Sequence, residues 1–211
     1  LSLHDALPIS METDAFAEQF TSAMDCRGIF LAQAAAKKLD LSGHQHLLDI
    51  AAGSAIYACS FVAHHPHLVA TVLEKPPVDR IAAKAIAKRG YADRINVHAA
   101  DMMQEPLPTD ADIHLFSNVL HDWDIPEVQQ LLQASYQALP RGGMLIVHDA
   151  FLHADKSGPQ HVADYSVMLM HATQGRCYST AEIETWASTY GFHSFKYQDT
   201  AAARGILTAL K

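Results

Sequence analysis

The order of apolar runs along this chain points to an α/β fold: a doubly wound, mostly parallel seven-stranded sheet that ends in an antiparallel hairpin. Three features carry that expectation. From residue 46, five short apolar runs (46–50, 69–73, 95–99, 113–117 and 144–149) are separated by helix-like stretches at 55–64, 78–88 and 125–138. Such alternation gives a parallel sheet with helices on both faces. The segment Leu47-Leu48-Asp49-Ile50-Ala51-Ala52-Gly53-Ser54-Ala55 runs from an apolar strand through an acid into small residues, and a helix-like stretch follows from Ile56. The last two strand candidates, 192–198 and 205–210, have a short link, which implies an antiparallel pair at one edge.

Composition narrows the class. With 211 residues, 49% hydrophobic and 18% charged, the chain suits one globular domain with a full core. No apolar run approaches the ~20 residues of a membrane span, so no membrane partner is expected. A formal net charge of −8 argues against a nucleic-acid partner, because phosphate binding needs clustered Lys and Arg. Cys26, Cys59 and Cys177 form no CxxC pair, and their odd number fits a reducing, cytoplasmic compartment. Fourteen histidines include His44-Gln45-His46 and His64-His65-Pro66-His67. Neither cluster has zinc-ligand spacing and both sit at element ends, so no metal is expected.

Taken in order, Leu1 to Ile9 looks like the in-frame translation of a sequencing adapter, with no basic region of a signal peptide. The expectation is a non-native leader over 1–10, with the true N-terminus upstream and Met11 not necessarily a start. Residues 13–41 read as helical, with Phe16, Phe20 and Met24 at i, i+4, i+8, and Asp40 to Gly43 closing the segment. This gives a helical lead-in over 11–43 and an α/β domain over 44–211, with no internal repeat or linker. Asp124 is a plausible N-cap for the helix at 125–138, with Pro126 in its first turn. After Asp149 come a Met-rich helix at 160–172, containing Val162, Tyr165, Met168, Leu169 and Met170, and a helix opened by Thr180 that Gly191 ends. His171 and the Met168/Met170 face either line a pocket or belong to the core.

In a doubly wound sheet, ligands bind at the carboxyl ends of the strands. Asp49 and the Ala51–Ala55 turn follow the first strand, and Glu74 follows the second, where an acid can take both hydroxyls of a ribose. Asp101-Met102-Met103 follows the third: a carboxylate for an adenine amino group and a Met for the ring face. His121-Asp122-Trp123 follows the fourth, and Asp149 the fifth. Small residues at the first turn let the backbone approach a ligand, and the helix start there offers unpaired N–H groups. Without GxGxxG after the first strand, a nicotinamide dehydrogenase is disfavoured. His121 could instead simply cap the strand end or pair with Asp122.

The segment Asn118-Val119-Leu120-His121-Asp122-Trp123-Asp124 is similar to the LHDW signature of plant-type and bacterial small-molecule O-methyltransferases, which include caffeate, acetylserotonin and polyketide O-methyltransferases. The small-residue first turn, similar to the family's glycine-rich motif, Asp101-Met102, Leu139-Pro140 with Gly142-Gly143, and the terminal hairpin extend the resemblance from about residue 13 to the C-terminus. It implies the Rossmann-like class I methyltransferase fold and S-adenosylmethionine (SAM) as cofactor, held by Asp49, Ala51, Gly53, Glu74, Asp101, Met102 and Ser117. It further implies His121 as the general base that takes the acceptor hydroxyl proton, oriented by Asp149, with no metal. The acceptor is then a small hydroxylated, aromatic molecule. Family members dimerise through an N-terminal helical domain, so a homodimer is expected of the full-length protein. This chain alone is then expected to bind SAM, transfer methyl poorly, and associate through the face around Phe16 and Phe20.

Two departures from the family pattern matter. Cys177 stands where a second orienting Glu is usual, and Ala51, Ala52 and Ala55 replace glycines. Ala51 and Ala52 read as mild changes, whereas Ala55 costs stability if the turn needs positive φ there. These departures motivate the alternative of a catalytically impaired SAM-binding module with a structural or interaction role.

Overall fold

The computed structural model describes residues 13–211; the leader proposed for residues 1–10 lies outside the described residues. The elements are α1 (Asp14–Ala36), β1 (His46–Ile50), α2 (Ile56–His64), β2 (Val69–Glu74), α3 (Val78–Lys88), β3 (Ile95–Ala99) and β4 (Ile113–Ser117). They continue with a 3-10 turn (Leu120–Asp122), α4 (Ile125–Ala138), β5 (Met144–Asp149), α5 (Gln160–Ala172), α6 (Thr180–Tyr190), β6 (His193–Asp199) and β7 (Gly205–Leu210).

The seven strands lie in the order β3-β2-β1-β4-β5-β7-β6. β3 to β5 are parallel; β7 runs antiparallel to both β5 and β6. Sheet order reverses between β1 and β4, so their carboxyl ends flank the crevice where ligands of doubly wound sheets bind. The central strands are largely buried and mostly apolar because both faces are covered. Alternate side chains go to opposite faces: Leu47 joins the core with α1, α2 and α3, and Leu48 the core with α4 and α6. β6 is the exposed edge, with polar side chains and a register shift between His193 and Lys196 that discourage further strand pairing.

The helix ends follow local chemistry. Asp124 Oδ1 accepts from the Ile125 N–H at 2.8 Å, with proline in the first turn of α4. Ser179 and Glu182 form a reciprocal capping box on α6, and Gly191 closes that helix at φ 115°. The lead-in helix stops at Ala36, short of the expected residue 41. Leu39 and Leu41 are buried in the turns beyond it and continue its apolar pattern without its backbone. Phe16 and Phe20 are half-buried and stacked at 6.1 Å, and Phe30, 72% exposed, is the more open apolar side chain of α1.

The histidine clusters serve as braces. His65 Nε2 bonds the Ala36 carbonyl at 3.1 Å and His67 Nε2 that of Leu41 at 3.0 Å, satisfying one carbonyl in the last turn of α1 and one beyond it. His46 Nε2 meets Thr71 Oγ1 at 2.9 Å, and His44 sits 3.3 Å from Asp112. Among the described residues, no group of three His, Cys, Asp or Glu is placed to hold a metal ion. No helix among them is long and apolar enough to cross a membrane.

Candidate active site

The first wall of the crevice is the turn between β1 and α2. Ala51, Gly53 and Ala55 all have positive φ, 55°, 57° and 62°. Both alanines therefore carry strain, of order 1 kcal/mol each. The expectation of a mild change at Ala51 is corrected: its φ is as left-handed as that of Ala55, because the chain must reverse direction immediately after β1. Ala52 is not among the positive-φ residues.

Two buried carboxylates hold this turn by accepting backbone N–H bonds. Asp49 Oδ2 accepts from Ala58 at 2.9 Å, and Glu74 Oε1 accepts from Gly53 at 2.7 Å, with Oε2 3.2 Å from the Lys75 nitrogen. Burial raises both acids to about 7, against the lowering effect of those bonds. A Cβ built on Gly53 would meet nothing within 4 Å, so the turn faces open space. From outside, Arg89 donates to the Ser54 carbonyl and to Asp25 Oδ2, both at 2.6 Å, and Ser54 Oγ hydrogen-bonds Asp25. This clamp ties the turn to α1 and the end of α3.

Asp101, Met102 and Met103 are half-buried beyond β3. Asp101 Oδ1 accepts from the Met103 N–H at 2.9 Å, and both methionines pack on the second core. Ser117 ends β4 with its Oγ 3.1 Å from His148 Nδ1. His148 is fully buried, bonds Thr200 Oγ1 through Nε2 at 3.1 Å, and is pushed down to about 4 by burial, so it stays neutral.

The second wall is built around His121, which the 3-10 turn places beyond β4. It is 4% exposed, and its Nδ1–H donates to Asp149 Oδ1 at 2.5 Å. Asp149 also accepts from the Ala150 N–H at 2.7 Å. Burial disfavours charge on the imidazole, but Asp149's charge and hydrogen bond, aided by Asp122, outweigh it and raise the His121 pKa. Burial likewise disfavours charge on Asp149, and His121 with the backbone bond holds that carboxyl below its ordinary range. His121 Nε2 faces away from Asp149, 3.4 Å from the Tyr165 hydroxyl and 3.6 Å from Asp122.

The turn carrying His121 is held from behind by the 175–178 segment. A Cβ on Gly175 would lie 2.3 Å from the His121 carbonyl oxygen and 2.6 Å from the Trp123 nitrogen, so only glycine fits there. The Tyr178 hydroxyl donates to the Trp123 carbonyl at 2.7 Å. Cys177, which the resemblance sets where a second orienting Glu is usual, is fully buried with its thiol pushed up to about 12 by burial. It packs with Ala150, Val162 and Leu169. Met168 and Met170 are about half exposed on α5, and His171 bonds the Val167 carbonyl there, so these side chains are not core.

The structure thus brings His121, Asp149, Ser117 and the Ala51–Gly53 turn with Glu74 to the two ends that flank the switch point, and sets Asp101-Met102 at the end of β3. Sequence reasoning passed over Asn118, Tyr165, Gly175 and Arg204. Asn118 adjoined the recognised motif. Gly175 and Arg204 carried only faint signals: a glycine beside Arg176, and a cation in the short link between the last two strands.

The family model described as "O-methyltransferase domain" matches residues 6–193. This chain belongs to that family. Among curated relatives, the O-methyltransferase-family chain is 32% identical over 196 residues to 3-hydroxy-5-methyl-1-naphthoate 3-O-methyltransferase of Streptomyces sahachiroi, covering 92% of this chain and 57% of the relative. It is 35% identical over 162 residues to L-tyrosine C(3)-methyltransferase of Streptomyces lavendulae, covering 76% and 44% respectively. Among solved structures, an O-methyltransferase family 2 protein from Planctomyces limnophilus, in complex with apigenin, superposes with a TM-score of 0.90 at 33% identity, covering 96% of this chain and 62% of that one. The chain spans about half the length of the curated relatives it matches.

Proposed function

We propose that this domain transfers a methyl group from SAM to a hydroxyl of a small aromatic molecule, with His121 as the general base and without a metal. The observation that carries the reading is the His121–Asp149 pair, buried at the switch point of a sheet whose other flank is an open turn with an acid after β2. The 3-O-methyl transfer of the naphthoate relative supports an oxygen acceptor, while the C(3)-methyl transfer of the tyrosine relative supports only methyl transfer to an aromatic molecule.

The residues present fit the cofactor. The turn is open at Gly53, Glu74 stands at the end of β2 beside it, and Asp101-Met102 ends β3. Glu74 is assigned to the ribose, Asp101 and Met102 to the adenine, and Asp49, Ala51, Gly53 and Ser117 to shaping or holding the methionine end. When bound, SAM supplies an electrophilic methyl group on a sulfonium.

The chain's own work is proton removal and positioning. A phenol has a pKa near ~10 and is mostly protonated at neutral pH. Asp149 keeps the proton on Nδ1, which leaves the Nε2 lone pair for the acceptor hydroxyl. The long 3.4 Å contact of Tyr165 with Nε2 is weak enough for an acceptor hydroxyl to replace it. As the acceptor oxygen attacks, Nε2 takes its proton, and the imidazolium formed is stabilised by ionised Asp149. Burial of the pair excludes competing water. Such a base contributes roughly 10²–10⁴-fold.

The test is calorimetry with S-adenosylhomocysteine, followed by incubation with methyl-labelled SAM and a panel of phenols and naphthols. Saturable binding and label on an acceptor oxygen are expected. Label on carbon, or no nucleoside binding, would overturn the reading.

A further inference from the structure

Arg204 is 9% exposed, at the start of β7 beside Asp149, whose register partner is Gly205. Its Nε donates to Asn118 Oδ1 at 2.9 Å, and its guanidinium lies 4.7 Å from the centre of the Tyr165 ring. Among the described residues it forms no ion pair, and only Nε has a hydrogen-bond acceptor. A buried cation without a counter-charge is costly. Tyr165's ring offsets part of that cost. Asp149, the nearby buried carboxylate, attracts Arg204 at a distance, but its hydrogen bonds are committed to His121 and the Ala150 N–H.

The side chain is held rather than loose. Asn118 has φ 54°, and its amide is used at both ends: Oδ1 accepts from Arg204, while Nδ2 donates to the Tyr57 hydroxyl at 3.0 Å and lies 3.3 Å from Ser117 Oγ. This chain of bonds runs from the first turn of α2, across the end of β4, to β7, spanning both sides of the switch point. A strained residue fixed from several sides is a mark of a working position. It leaves the two amino groups of a planar guanidinium without acceptors among the described residues, beside Tyr165, whose hydroxyl is 3.4 Å from His121 Nε2; such a fork can take a carboxylate by two parallel hydrogen bonds.

We propose that Arg204 is the carboxylate-binding residue of the crevice. The proposal rests on the methyl-transfer reading, which supplies two carboxylates: the amino-acid end of the cofactor, and one carried by an aromatic acceptor beside its hydroxyl.

Calorimetry on the protein and on Arg204→Met and Arg204→Lys tests it with paired probes. S-adenosylhomocysteine is compared with 5′-methylthioadenosine, which lacks the carboxylate, and a hydroxynaphthoate with the matching naphthol. Arg204→Met is expected to weaken one carboxylate-bearing probe by roughly tenfold or more and to leave its carboxylate-free partner unchanged. Arg204→Lys, which keeps the charge and loses the fork, should fall between and guards against a folding defect in the Met variant. Loss confined to S-adenosylhomocysteine assigns the cofactor carboxylate; loss confined to the hydroxynaphthoate assigns the acceptor's. Equal change within each pair, or no change in any probe, overturns the proposal. Failure of the unmodified protein to bind either nucleoside overturns the methyl-transfer reading instead, and this proposal with it.

Discussion

The two walls of the crevice are made of different material. The β1–α2 wall is shaped by backbone: three left-handed residues, 51, 53 and 55, pinned by Glu74 on the Gly53 N–H and steadied by Asp49 on Ala58. The β4–β5 wall is a network of side chains in which His121 leans on Asp149 and its turn is wedged by Gly175 and Tyr178. In the proposed assignment the first wall holds the cofactor, joined by Ser117 from the second, and His121 on the second wall does the chemistry. A backbone-made cradle sets affinity through shape, while a side-chain network sets rate through one atom's position. Substitutions on the two walls should therefore separate affinity from rate.

The largest effect is expected at His121. His121→Ala should lower single-turnover methyl transfer roughly 10²–10⁴-fold with S-adenosylhomocysteine affinity unchanged. Parallel loss of affinity would merge the two walls into one. Gly175→Ala comes next. Its Cβ would intrude to 2.3 Å from the His121 carbonyl oxygen, and the turn must move. A shift of that kind can cost on the order of 10²-fold in rate. Calorimetry should again show intact nucleoside binding, and a variant with full rate would show that the turn yields without cost.

Glu74→Ala should do the reverse. Losing a charged hydrogen-bonding partner should weaken S-adenosylhomocysteine by ~1.5–3 kcal/mol, while transfer at saturating cofactor stays close to normal. Smallest of all, Ala51→Gly and Ala55→Gly should each stabilise the fold by up to about 1 kcal/mol, since glycine relieves the left-handed strain but has more backbone entropy to lose. Denaturant titration measures this, and a loss of stability would mean that the methyl groups pack well enough to offset the strain.

The difference between the walls also explains what could be read in advance. Strands 46–50, 95–99, 113–117, 144–149 and 205–210 lie where the sequence pattern put them: the central ones are buried on both faces and leave largely apolar runs, and the edge strand 95–99 keeps the apolar Ile95 and Val97 in alternation. β6 is displaced by one residue. Phe192 is buried against Tyr136 at 5.1 Å and belongs to the turn after Gly191, an apolar anchor that periodicity cannot tell from a strand residue. His121 and Asp149 were legible because both lie at or just beyond the ends of adjacent strands and His121 sits in the LHDW-like segment. Asp49 and Glu74 were legible as acids at strand ends, but their bonds to backbone N–H groups depend on how the turn curls. Arg204, Tyr165 and Gly175 come from segments far from the motif, and only the tertiary fold brings them to it.

The proton-transfer role of His121 is tested most directly by the pH profile of single-turnover methyl transfer to an acceptor found in the panel, with and without Asp149→Asn. Nε2 must be unprotonated to accept the hydroxyl proton, so the rate should fall as pH drops through the His121 pKa. Because Asp149 raises that pKa, the break should lie above the ordinary histidine value of about 6.5. In Asp149→Asn, where the charge is gone, it should move to lower pH, with a reduced plateau. A profile flat across this range, or a break that Asp149→Asn leaves in place, would contradict His121 as the base.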